Sequence, residues 1–202
     1  MDPPVGVERL SITGPSGGVC GESHECQNVP MPHDPRAAAA IERLVDADDA
    51  FVALEGPIEA GRPWPDVPVT SDDPESGWGP PEVLAHVAEM LGYWLGQMDV
   101  VIAGAPGPVP MGRATTDPQR ARAIEDGRRL STSELLGQIR VGIGAYVARL
   151  PLLSAGDWDA RGVHPRLGEM TVAAMLDRFI LSHVDEHVVQ IEATLERARS
   201  RG

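Results

Sequence analysis

The sequence predicts an all-α fold, a four-helix bundle with long crossover loops. Four segments between residues 34 and 199 repeat apolar residues every three or four positions, and helix-starting residues precede several of these segments. No stretch alternates apolar and polar residues as a half-buried strand does. We therefore expect one helical domain over residues 34–202. A poorly ordered leader over residues 1–33, rich in Gly, Pro and Ser, is expected to precede it.

The first two predicted helices are bounded by proline and glycine. Asp34 is the expected N-cap of the first helix, Pro35 takes its first helical position, and the helix is expected to end near Gly56. A loop rich in Pro and Asp follows. The second helix is expected to begin after Pro81 and to end at Gly104.

The third predicted helix begins with a capping box, in which Glu134 follows Ser131 by three residues, and it ends at Pro151. The fourth is expected from about residue 171 to residue 199. The connections before these two helices are too long for tight turns, which is common in bundles that are not simply up-and-down. The earlier connection is expected to contain a short helix from residue 118 to about residue 129.

Composition and charge exclude several classes of function. The 202 residues carry 30 acidic and 17 basic side chains, and the net charge of −13 disfavours binding to nucleic acid and to anionic membranes. Every basic residue is arginine, which excludes Schiff-base chemistry on lysine. Two cysteines form no disulfide framework, and no signal peptide or membrane-spanning run is expected. We therefore expect a cytoplasmic protein.

The fourth predicted helix carries two histidines within its apolar stripe. His183 and His187 are four residues apart, so their imidazoles project from one side of the helix, about one turn apart. Steps of three or four residues connect them to the apolar members of the stripe, which are Val172, Leu176, Ile180, Ile191 and Leu195. A single metal ion satisfies two neutral imidazoles together, which removes the cost of burying each without a partner.

His86 is the third candidate ligand. It lies on the second predicted helix, three residues after Val83 and four before Met90, and so borders that helix's apolar stripe. Neighbouring helices of a bundle can bring it opposite His183 and His187. Three protein nitrogens with an open coordination position are typical of a catalytic metal site. The alternative interpretation is that each histidine is a hydrogen-bonded part of the core.

Two familiar metal motifs do not fit this chain. The residue directly after His183 is Val184, so the pair is not the His-Glu-x-x-His of zinc metalloproteases. The helices also contain no Glu-x-x-His, which di-iron carboxylate bundles require.

Other polar residues are weaker candidates. Charged residues near the histidines are candidate partners for imidazole N–H groups, although such residues are more often solvated: Glu89, Asp185 and Glu186. His164 either borders the mouth of the site or occupies a turn before Pro165. A third group has an irregular spacing that suggests no function: Cys20, His24 and Cys26.

In their order along the chain, these features resemble the DinB-like superfamily. The matching features are Trp78 ahead of the second helix, Val-Leu-Ala-His-Val over residues 83–87, His-Pro-Arg-Leu-Gly-Glu-Met-Thr over residues 164–171, and His183-x-x-x-His187 followed by Val-Gln-Ile. The resemblance covers about residues 34–199. It implies a four-helix bundle, a metal site at His86, His183 and His187, and a homodimer.

The resemblance also implies a chemistry. In this superfamily a divalent metal holds a low-molecular-weight thiol such as mycothiol for attack on an electrophilic substrate, and for this chain we expect Zn or Ni. This chain departs from mycothiol-dependent maleylpyruvate isomerases, since it has His183 where they tend to have Glu and we expect it to be without their second domain. We therefore expect a metal-dependent thiol S-transferase, or a hydrolase on the same site. The alternative is a non-catalytic metal-binding stress-response or interaction module.

Overall fold

The computed structural model describes residues 34–64, 75 and 77–200. Its helices are α1 (Pro35–Ala53), α2 (Glu55–Ala60), α3 (Pro80–Ala103), α4 (Pro118–Gly127), α5 (Thr132–Arg149), α6 (Ala155–Asp159), α7 (Val172–Leu176) and α8 (Ser182–Arg199). A 3₁₀ helix (Leu150–Leu152) follows α5, and a π-helical turn (Asp177–Leu181) joins α7 to α8. The proposed leader, with Cys20, His24 and Cys26, lies outside the described residues.

Four long helical segments form the predicted bundle. Helix α3 packs against α5 and α8, and α1 packs against the same two helices from the other side. Helix α7, the π-helical turn and α8 together form the fourth segment. Leu, Ile, Val, Ala and Met side chains fill most of the space between the helices, with Phe51, Tyr146 and Trp158 as the largest buried rings. The Tyr146 hydroxyl donates to the Leu91 carbonyl, 3.1 Å away, and ties α5 to α3.

The helix starts follow the predicted capping residues. The Asp34 side chain accepts from the Arg36 backbone N–H, with Pro35 at the first position of α1. Ser131 and Glu134 form the predicted capping box of α5. The short helix in the long connection is present as α4, where Asp117 accepts from the N–H groups of its first turn.

The structure contains a small sheet for which the sequence shows no strand pattern. The two long connections pair with each other in a three-stranded sheet of β1 (Val109–Pro110), β2 (Arg161–His164) and β3 (Gly168–Thr171). Strand β1 is parallel to β2, and β2 is antiparallel to β3. Strands of two and four residues are too short to show an alternating pattern in the sequence.

The fourth segment also differs from the prediction, because the π-helical turn interrupts it. A π-helical turn holds one residue more than an α-helical turn and rotates everything that follows around the helix axis. As a result Val184 is fully buried, whereas the side chain of His183 is 26% exposed rather than enclosed in the apolar row. The turn therefore directs His183 to the edge of the core.

We predict that Gly112 is the more sensitive of two glycines with positive φ. Gly112 has φ +82°, and a Cβ there would lie 2.5 Å from His164 Cδ2, whereas Gly168 has φ +76° with open space around it. Gly168→Ala should destabilise the protein by about 1 kcal/mol from backbone strain alone, and Gly112→Ala by about 2–3 kcal/mol. Urea unfolding of both variants measures this. Equal losses would contradict the close packing of Gly112 on His164.

Candidate metal centre

Two elements of the bundle bring the three predicted histidines together. His86 lies on α3, and His183 and His187 lie on the first turns of α8. The Nε2 atom of His183 is 3.2 Å from that of His86 and 3.2 Å from that of His187. Nitrogens held 2.0–2.1 Å from a tetrahedral zinc ion stand about 3.4 Å apart, so this spacing suits one divalent ion.

A carboxylate completes the group. Glu75 Oε1 is 3.9 Å from His86 Nε2, and one donor atom from each of the four side chains lies within 4.8 Å of every other. The same oxygen accepts from Arg120 Nη2 at 2.5 Å. Glu75 could not be predicted as part of the site, because its stretch of sequence has no periodicity that would place it beside the helices.

The hydrogen-bond partners of the Nδ1 atoms determine which nitrogen of His183 and of His187 carries the proton. Gln190 Nε2 donates to the Glu75 carbonyl at 3.0 Å, so Gln190 Oε1 faces His187 Nδ1 at 2.8 Å and accepts its proton. Glu186 Oε2 is 3.3 Å from His183 Nδ1, and a carboxylate only accepts. Both Nε2 atoms therefore carry lone pairs, and those lone pairs face each other.

When His86 carries its proton on Nε2, the contact between His183 and His187 is left without a proton. Arg120 Nη2, which is only a donor, lies 3.5 Å from His86 Nδ1, and this contact favours the proton on Nε2. That proton can bridge His86 and His183, but none remains for the contact between His183 and His187. A cation at the centre satisfies all three nitrogens, once His86 moves its proton to Nδ1. Arg120 holds His86 weakly at 3.5 Å, which makes this the easiest of the three contacts to change.

Burial keeps the innermost imidazoles neutral. His86 is 4% exposed and His187 is 3% exposed. Desolvation, followed by the neighbouring His187 and Arg120 charges, holds the pKa of His86 far below its ordinary value. Desolvation, followed by His183, lowers the pKa of His187 to about 4. Neutral imidazoles at neutral pH are the form that binds a metal.

The cluster opens into a cavity of about 540 Å³. His86, His183 and Glu75 lie in its wall. An aromatic wall stands beside them, where Trp94 of α3 stacks on Phe179 of the π-helical turn with ring centroids 3.9 Å apart and planes 3° from parallel. A volume of this size admits a small organic molecule next to the histidine nitrogens.

The comparisons with known proteins agree with this architecture. Residues 59–191 match the family model of the DinB superfamily. The chain belongs to the DinB superfamily. Neither the curated proteins nor the solved structures contain a match to it. The match spans α3, α4, α5 and most of α8, and so includes every histidine of the cluster.

In this DinB-superfamily chain, one of the three predicted partner carboxylates contacts a histidine. Glu186 does so through His183 Nδ1. Glu89 instead accepts from Arg113, and Asp185 from Arg43. The sequence could not rank these three, because each carboxylate lies within a few residues of a histidine along its helix.

His164 fulfils both interpretations of its position. It lines the cavity, and its Nδ1 accepts from the backbone N–H groups of Arg166 and Leu167 at 3.2 and 3.3 Å. It therefore orders the turn between β2 and β3 and also contributes to the wall of the site. Within the described part of the chain it does not belong to the histidine cluster.

We predict that acid weakens the metal-free protein through His187. A histidine in the unfolded chain titrates near 6.5 but His187 in the fold titrates near 4, so between these values the unfolded chain binds the extra proton. The contribution is fully present above pH 6.5, and about 1–3 kcal/mol is lost as the pH falls to about 4. Urea unfolding in the presence of a chelator measures this loss. His187→Gln should show a shallower pH dependence, and a slope equal to wild type would contradict the assignment.

Proposed function

We propose that this protein is a metal-dependent S-transferase for a low-molecular-weight thiol, with His86, His183 and His187 as the metal ligands. The observation that supports the proposal most directly is the convergence of three Nε2 atoms at 3.2 Å spacing beside an open cavity. A divalent ion, Zn or Ni, would lower the pKa of a bound thiol so that it is a thiolate at neutral pH.

The side chains around the histidines hold the donor set in place. Gln190 and Glu186 accept the Nδ1 protons of His187 and His183, which aims both Nε2 lone pairs at one point. Arg120 Nη2 lies 2.5 Å from Glu75 Oε1, so the carboxylate nearest the histidines is already paired. A coordination position is therefore left for a ligand that enters through the cavity. Three nitrogens and an open position are what a catalytic rather than a structural site requires.

The reaction joins the sulfur of the thiol to a carbon of the electrophile. The sulfur lone pair forms the new C–S bond, and the leaving group departs with the electron pair of the bond that breaks. The thiol proton passes to solvent through the cavity, so the products are a thioether, the leaving-group anion and a proton in solvent. Mycothiol is one thiol of this class. The cavity wall of Trp94 and Phe179 would hold the apolar part of either reactant.

A second function is favoured by Glu75. If Arg120 releases this carboxylate, the site closes with four protein ligands and becomes structural, as in a metal-binding stress-response or interaction module. Glu75→Gln separates the two functions. A catalytic site should keep its metal in this variant, whereas a closed four-ligand site should lose it.

We further propose a cytoplasmic homodimer, a state that the superfamily favours. Among the described residues, no helix combines the length and apolar character needed to cross a membrane. Light scattering at micromolar concentration tests the dimer, and a mass of one chain would contradict it.

We predict one tightly bound divalent ion per chain. His187→Ala should lower the affinity for zinc by more than about a hundredfold because it removes a ligand, and Gln190→Ala by about tenfold because it releases the ring. His164→Ala is the matched control, since it removes a cavity histidine outside the cluster and should bind zinc as wild type does. Competition with a chromophoric chelator measures all four proteins. Equal losses in His164→Ala and His187→Ala would contradict the ligand assignment.

We predict that the metal-loaded protein conjugates a small thiol to an electrophile. Turnover with thiols such as mycothiol or glutathione should require the metal and should fall by more than about a hundredfold in His183→Ala, since the thiol is then protonated at neutral pH. A spectrophotometric assay with a halogenated nitroarene follows the product. No turnover by metal-loaded protein with several thiols and electrophiles would exclude the transferase and favour the interaction module.

A further inference from the structure

Two guanidinium groups in the wall of the cavity have no ionic partner among the residues that the structure describes. Arg166 and Arg178 both line it, and within residues 34–64, 75 and 77–200 neither guanidinium forms an ion pair or hydrogen bond. The other two arginines of the wall are engaged, Arg113 by Glu89 and Arg120 by Glu75, each at 2.5 Å. Arg113 and Arg120 are therefore held by carboxylates, whereas, within the described part of the chain, Arg166 and Arg178 line the cavity with unpaired charge.

The fold fixes where these two arginines stand. Arg166 occupies the turn between β2 and β3, where His164 Nδ1 accepts its backbone N–H at 3.2 Å and Gly168 supplies a φ of +76°. Arg178 occupies the π-helical turn that leads into His183. Both charges lower the pKa of His164, after desolvation, which indicates that both lie near this ring.

The charge of the lining favours a monoanion. Of the charged groups in the wall, Arg113 is paired with Glu89, Arg120 with Glu75 and Asp177 with Arg43. Arg166, Arg178 and Glu186 remain, so the wall carries an excess of one positive charge. The chain as a whole carries −13, which makes this the opposite of the average surface. One carboxylate balances that excess, whereas a phosphate dianion exceeds it. A guanidinium offers a planar pair of donors that matches a carboxylate.

We propose that Arg166 and Arg178 bind the carboxylate of a small substrate whose reacting end reaches the histidine cluster. The identity of that reacting end rests on the proposed transferase function. The carboxylate belongs either to the thiol or to the electrophile, and the apolar rings of Trp94 and Phe179 cover the part of the molecule between its two ends.

Calorimetric titration of butyrate, a monocarboxylate, into the full-length protein as purified tests the carboxylate site without any thiol chemistry. Wild type should bind butyrate, and the double variant R166Q/R178Q should bind it about tenfold more weakly because two charge-assisted contacts are lost. R122Q is the matched control, because Arg122 is a helix-surface arginine with a side chain 86% exposed, and it should bind as wild type does. Both cavity arginines are exposed, so the double variant should fold normally.

Three results would overturn the proposal: no butyrate binding by wild type, equal binding by wild type and R166Q/R178Q, or tighter binding of inorganic phosphate than of butyrate. Conjugation assays on the zinc-loaded protein then identify the source of the carboxylate. One arm compares 3-mercaptopropionate with 2-mercaptoethanol, and the other compares chloroacetate with chloroacetamide.

In the arm that matches the source of the carboxylate, kcat/KM should be about tenfold higher for the carboxylate-bearing compound than for its uncharged analogue. This preference should vanish in R166Q/R178Q. Turnover with no charge preference in either arm would overturn the claim that the substrate's other end reaches the cluster. Arginine-dependent butyrate binding without any turnover would remove the transferase and leave the carboxylate site standing.

Discussion

The arrangement of the site depends on lone pairs that face one another. Glu186 and Gln190 accept the outer protons of His183 and His187, so two Nε2 lone pairs meet at 3.2 Å in a largely buried place. Such an arrangement is unfavourable unless a positive charge lies between the nitrogens. Burial keeps the His187 imidazole from supplying that charge as a proton, since it lowers the pKa of His187 to about 4. A divalent ion is a source of charge that fits the spacing.

The bundle meets this requirement with one irregularity in an otherwise regular segment. The π-helical turn rotates α8 so that His183 leaves the apolar row and faces the cavity, while His187 stays inside. The same turn presents Phe179 to Trp94 and Arg178 to the cavity wall. One extra residue in one turn therefore places His183, the aromatic pair of Trp94 and Phe179, and Arg178 around the same cavity. π-helical turns are frequently found at functional sites for this reason.

Regular periodicity explains which parts of this protein could be predicted. The helices follow from steps of three and four residues, and their caps at Asp34 and Ser131 from residue type. The same steps place the three histidines on apolar stripes, and the family resemblance implied that they meet. The sheet could not be predicted, since its strands are short and pair across distant loops. Glu75 and Arg120 could not be predicted as part of the site for a related reason, because their ion pair joins a loop to a separate helix. A π-helical turn gives no signal in a sequence that still repeats at helical spacing.

X-ray absorption at the zinc edge, on zinc-loaded protein purified without a histidine tag, reports the donor atoms around the ion. We expect three imidazole nitrogens about 2.0–2.1 Å from the ion and one further light atom in the fourth position. In His183→Ala/His187→Ala the imidazole multiple-scattering signal should shrink or the ion should be absent. Zinc that retains its wild-type imidazole shell in that double variant, or wild-type protein that binds no ion even after reloading, would show that these histidines are not the ligands.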